Sequence, residues 1–140
     1  MPRFGKSSKE NREFLCKDLK RLVDEVIKYY DFSIICGHRD RTEQEKAYKN
    51  GTSKAHFGQS AHNYNPSFAF DFTPYPCPTK QVKGTIQIDS DSPEWQKAVC
   101  IFKNEANKQG IEITCGADFK TLKDLMHIEI KNWRTRIKNI

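Results

Sequence analysis

The sequence has no run of about 18 apolar residues, the length a helix needs to cross a bilayer, so no stable membrane insertion is expected. Its opening, Met1-Pro-Arg-Phe-Gly-Lys-Ser-Ser-Lys-Glu10, lacks the apolar stretch of a secretory signal, and the expectation is accumulation in the cytoplasm where the chain is made. The five cysteines, Cys16, Cys36, Cys77, Cys100 and Cys115, are widely spaced and form no C-x-x-C pair. That argues against a zinc finger or a disulfide framework and for reduced, mostly buried thiols. No internal repeat or low-complexity tract occurs, and histidine is scarce, at four residues.

What is present suffices for one core. The chain has 140 residues, 36% of them hydrophobic and 11% aromatic, which suits a single domain over 1–140 and excludes the apolar-poor compositions that stay disordered. The formal charge is +6, from 24 Lys and Arg against 18 Asp and Glu, and favours an anionic partner through attraction that salt weakens. Nucleic acid, anionic lipid and bacterial wall polymer all qualify, and charge does not choose among them.

Apolar residues from Phe14 to Ile27 recur at three- and four-residue steps, which predicts an amphipathic helix over 8–30. Phe32-Ser-Ile-Ile-Cys36 reads as a buried strand ending at Gly37. A helix is expected over 42–50, with Thr42 and Glu45 as a capping box and Asn50-Gly51 as its stop. Residues 51–67 are polar and form a long loop before the strand Phe68-Ala-Phe-Asp-Phe72. Residues 80–92 look like a surface hairpin or excursion. Ser92 and Pro93 then start a helix that Gly110 closes. Ile111–Cys115 and Met126–Ile130 alternate as strands do, and the basic tail from Lys131 reads as a solvated strand or turn. This mixed order favours an α+β domain with a small, mainly antiparallel sheet carrying packed helices.

Asp71 stands out chemically. Strand alternation puts it on one face with Ala69 while Phe68, Phe70 and Phe72 take the other, and a carboxylate in so apolar a strand needs a partner. A cation and an arginine such as Arg39 or Arg41 both meet that need. Asp124-Leu-Met-His127 adds a carboxylate three residues before a histidine, a spacing that lets one residue bind a cation while the other reaches a water beside it. Two histidines and a carboxylate make an open zinc site, and a second carboxylate is the natural general base. Glu129, on the same strand face as His127, either orients that imidazole or is a surface residue.

Three stretches resemble the zinc peptidases that include D-alanyl-D-alanine carboxypeptidases and dipeptidases and phage L-alanyl-D-glutamate endolysins. They are Cys36-Gly-His-Arg-Asp-Arg-Thr-Glu-Gln44, Ser60-Ala-His-Asn-Tyr-Asn-Pro-Ser-Phe-Ala-Phe-Asp-Phe-Thr-Pro-Tyr75 and Asp124-Leu-Met-His-Ile-Glu129, with Gly51-Thr-Ser and Cys115-Gly-Ala-Asp118 between them. Any one is weak; all of them in order are specific. The resemblance implies a hedgehog/D,D-peptidase-like fold, Zn²⁺ as cofactor, His62, Asp71 and His127 as its ligands, Asp124 as base and Arg39 near the scissile carbonyl. Gln44 and Ser60 fall at family positions as supporting residues. Asn65-Pro-Ser67 lengthens the segment between His62 and Asp71 beyond the commoner spacing, which bears on the pocket rim more than on the ligands. That longer form, with Asp at 124, looks like the phage endolysin branch.

The expected substrate is thus a peptidoglycan peptide, cut at L-alanyl-D-glutamate, with a D-alanyl-D-alanine terminus as the alternative. The expected enzyme is a monomer, held in the host cytoplasm until lysis and then acting at the wall. A basic nucleic-acid-binding protein or nuclease is the rival from another class, but it leaves Asp71 and Asp124-x-x-His127 unexplained, so no nucleic-acid partner is expected.

Overall fold

A computed structural model describes residues 2–120 and 123–137. Four strands, β1 (Phe32–Cys36), β2 (Ala69–Pro74), β5 (Ile113–Cys115) and β6 (His127–Ile130), form an antiparallel sheet in the order β1-β2-β6-β5. β3 (Thr79–Val82) and β4 (Thr85–Ile88) pair as a separate hairpin, every residue of which is exposed. The helices are α1 (Lys6–Glu13), α2 (Lys17–Val26), α3 (Arg41–Lys49), α4 (Pro93–Gln109) and α5 (Trp133–Ile137). The mixed α+β architecture with an antiparallel sheet is the one the element order predicts.

One face of the sheet carries the core. Phe70 and Phe72 of β2 and Phe32 of β1 pack with Phe102 of α4 at ring-centroid distances of 5.6, 4.9 and 5.0 Å. Trp95 closes the cluster beside Phe72, and all five side chains are at most 2% exposed. Burial of each contributes roughly 1.5–3 kcal/mol, so this aromatic layer is what holds β2 flat against α4. Helix α4 starts and stops as its caps dictate: the Ser92 side chain accepts from Glu94 N, Pro93 takes the first helical position, and Gly110 adopts φ +71°.

Three local expectations are corrected. The helix expected over 8–30 is two, α1 and α2. Between them the chain docks on the loop before β2, where Ser67 N donates to Phe14 O and Cys16 N donates to Ser67 O, so backbone pairing replaces a helical turn. The cap of α3 is Asp40, not Thr42: Glu43 N donates to Asp40 Oδ1 and Asp40 N to Glu43 Oε1, which closes the box two residues earlier. The tail folds as α5 because Trp133 is buried against Tyr64. Residues 138–140 of that tail lie outside the described residues.

The outer edge of β1 is covered by α1. Ile34 N donates to Ser8 Oγ, and Asn11 Nδ2 donates to Ile34 O. At the opposite edge β5 is three residues long.

Candidate active site

Strand register begins the assembly. Alternation in β2 sends Phe70 and Phe72 into the core and Asp71 to the opposite face. β6 pairs so that His127 stands opposite Asp71 and Glu129 opposite Ala69. His127 Nδ1 is 3.2 Å from Asp71 Oδ1, and its Nε2 is 2.6 Å from Glu129 Oε1. On the other flank the β1–β2 register shifts between Ile34 and Cys36, a bulge that turns Ile35 outward and sets Cys36 opposite Asp71.

His62 arrives from a 3₁₀ turn, Ala61–Asn63. Its N-cap is Ser60, whose Oγ accepts from His62 N at 3.2 Å. His62 Nδ1 donates to Gly37 O at 2.8 Å, which fixes the proton there and leaves the Nε2 lone pair aimed at Asp71 Oδ1, 3.3 Å away. Gly37 is a close-approach residue. A Cβ on it would stand 2.6 Å from Asn11 O, so only glycine lets this carbonyl reach both His62 and Ser67 Oγ.

Two groups of described residues could hold a metal ion, Cys36 with His62 and Asp71, and Asp71 with Asp124 and His127; Asp71 is common to both. His62 Nε2 is buried and makes no hydrogen bond, a costly state unless a cation takes its lone pair. Nitrogen and oxygen ligands held about 2.0–2.1 Å from one ion at tetrahedral angles lie roughly 3.3 Å apart, which is the spacing of both imidazoles from Asp71 Oδ1. The hydrogen bonds from His127 to Glu129 and from His62 to Gly37 occupy the remaining ring nitrogens, as they do behind histidines that bind metal.

The charges lean the same way. Burial works to raise the Asp71 pKa, but His127 and His62, when protonated on the nitrogens that face it, outweigh burial and hold the carboxyl well below its ordinary range. Burial works to lower the pKa of both histidines, yet Asp71, with Cys36 at His62 and Glu129 at His127, raises them. Protons and a cation therefore compete for the same two nitrogens.

Cys36 was read as one of the bland thiols, and its place here is new. Its Sγ lies 3.9 Å from His62 Nδ1, and Cys36, His62 and Asp71 together could hold a metal. Asp71 meets the ring's other nitrogen, however, so the thiol and the carboxylate approach His62 from different sides. Nothing in its sequence neighbourhood announces this, because the β-bulge creates it.

Around these residues runs a cleft of about 970 Å³, lined by Arg39, the 51–55 loop, Ile88, Trp95, Phe119 and Lys123–His127 among others. Gln44, fully buried, organises one wall: its Nε2 donates to Ser53 Oγ and Ala55 O, and its Oε1 accepts from Arg39 and Asn63. Arg39 is thereby aimed inward, 3.8 Å from Asp71 Oδ2. Glu45, which the sequence pointed to as a cap, instead accepts from Phe57 N and binds His56, tying the loop to α3.

Asp124 lies on the opposite side of His127 in sequence and is exposed. Its Oδ1 accepts from Met126 N, and carboxylate oxygens of Asp124 and Asp71 and a nitrogen of His127 lie within 4.8 Å of one another, close enough to share a metal ion. Arg39, Ser60, His62, Asp71, Asp124 and His127 thus line one cleft, with Gln44 and Glu129 bonded to its lining, whereas Arg41, the other arginine considered for Asp71, stacks on Phe57 instead.

A family model for the phage L-alanyl-D-glutamate peptidase matches residues 1–134. The chain belongs to that family. As a phage L-alanyl-D-glutamate peptidase, it shares its fold with the crystal structure of the Serratia marcescens L-Ala D-Glu endopeptidase ChiX, at a TM-score of 0.73 and 23% identity over 95% of this chain and 93% of that one. No curated protein matches it in sequence. No helix among the described residues of this peptidase is long and apolar enough to cross a membrane.

Proposed function

We propose that this peptidase is zinc-dependent and cuts the L-alanyl-D-glutamate bond of peptidoglycan peptides, with His62, Asp71 and His127 as ligands. The observation that carries the reading is the convergence of two imidazole nitrogens on Asp71 Oδ1, one of them buried with no hydrogen bond. An N₂O donor set with an adjacent open cleft suits zinc. When bound, the ion supplies Lewis acidity, lowering the pKa of water toward about 7 and polarising a carbonyl.

The chain's own groups do the rest. Asp124 takes the proton from the attacking water and returns it to the nitrogen of the glutamyl product as the C–N bond breaks. Arg39, braced by Gln44, offers its guanidinium to the negative charge that develops on the carbonyl oxygen. Glu129 accepts from His127 Nε2, keeping the proton off the nitrogen that faces Asp71. Ser60 holds the turn that presents His62.

In this reading the enzyme is a monomer that waits in the host cytoplasm and acts at the wall after release. Its +6 charge draws it to that anionic polymer. Mass spectrometry of purified peptidoglycan, digested with and without a zinc chelator, checks bond and metal together: new alanine-terminated and glutamate-initiated fragments are expected, and they should vanish on chelation and return with added zinc. Fragments that persist in chelator would remove the metal from the mechanism.

Glu129→Gln provides a finer check. Losing the charge that orients His127 should weaken zinc binding about 10–100-fold in a competition titration, with little change in the melting temperature of the metal-free protein. Unchanged affinity would make Glu129 a surface residue.

A further inference from the structure

The leaving side of the substrate has a chemistry that the ligands and base do not address. A glutamate whose amino group forms the scissile bond has two carboxyl groups, and only one can continue the chain. The other is a free carboxylate a few bonds from the reacting centre. In the cleft the proposed ion and Arg39 lie against Asp71, and Asp124 adds a carboxylate of its own, so a free carboxylate bound farther along the cleft needs a separate cation to hold it.

Three cations line the cleft: Arg39, Lys54 and Lys123. Arg39 is engaged by Gln44 and faces Asp71. Lys28, Lys80 and Lys103 elsewhere are paired with acids, whereas Lys54 and Lys123 are exposed and form no ion pair among the described residues. They come from different segments, Lys54 from the loop that Gln44 anchors and Lys123 from the residue next to Asp124. Lining the cleft from these two segments, they are its uncommitted positive charges.

We infer that Lys54 and Lys123 form the subsite that binds the free carboxylate of the substrate glutamate and make the enzyme selective for the acid over its amide. This rests on the peptidase reading above. Lysine suits the task, because a flexible ammonium follows a carboxylate without demanding one planar geometry.

The test uses the full, zinc-loaded chain and two peptides that differ only in that carboxyl, free in one and amidated in the other. Wild type is expected to favour the acid about tenfold in kcat/KM, in line with a charge-assisted contact in a partly shielded cleft. Lys54→Met with Lys123→Met should bring the ratio near one by raising KM for the acid while leaving the amide's kcat/KM, zinc content and melting temperature unchanged. The single variants apportion the effect, and Lys83→Met, on the hairpin outside the cleft, should leave the ratio intact. Equal cleavage of both peptides by wild type, or a preference that survives the double substitution, overturns the inference. If wild type cleaves neither peptide, the peptidase reading itself fails, and the inference falls with it.

Discussion

Asp124→Asn is expected to leave a folded protein with its zinc in place and a kcat lower by about 10²–10⁴-fold, the range set by losing a positioned base. Amide and carboxyl have the same shape, so the bond from Met126 N can persist and the loop keeps its course. What disappears is the ability to take a proton from water. Zinc content by atomic emission separates the two roles that this carboxylate's place near Asp71 and His127 allows. Retained zinc with lost turnover marks a base; lost zinc marks a ligand. Near-normal wall lysis would remove Asp124 from the chemistry.

Gly116→Ala should cost at least about 10²-fold in kcat/KM although position 116 has no reactive group. A Cβ there would collide with the Asp124 carbonyl and come within 3.0 Å of the Cβ atoms of both Asp124 and His127. Gly116 O also accepts from Asp124 N, so the contact is held on both sides and cannot open freely. Something must move, and what moves is the base, a proposed ligand or both; a misplacement near 1 Å is enough for a loss of that size. Overpacking should also destabilise by about 1–3 kcal/mol. Circular dichroism and thermal melting alongside kinetics distinguish a displaced site from an unfolded chain, and a folded, fully active variant would show that the loop accommodates the methyl.

Much of this was readable in advance where one residue's physics sufficed. Asp71 advertised itself because a carboxylate among Phe68, Phe70 and Phe72 demands compensation, and the caps of α4 followed from Ser92, Pro93 and Gly110. The groups nearest it are His62 and His127, which compensate its charge when protonated or when sharing a cation with it, and Arg39 is farther off, at 3.8 Å. The roles of Arg39, Gln44 and Ser60 came from family resemblance, since no local pattern distinguishes them from other polar residues. Unreadable features were those made by distant pairing. The break between α1 and α2 has no proline or glycine to signal it, because Ser67 of a remote loop imposes it. Cys36 faces His62 only through the β-bulge, and Gly116 matters only because Asp124 folds back across it.

The way the four-stranded sheet ends also bears on the concentrations this protein can reach. An open strand invites another molecule to continue the ladder, and a chain that builds up before it is used would then polymerise. Here the hydroxyl of Ser8 and the amide of Asn11 have already taken the peptide groups of Ile34, and β5 is too short to template much growth. Removing α1 would therefore do more than shrink the protein: it would uncover an adhesive border, and fibres or precipitate should follow.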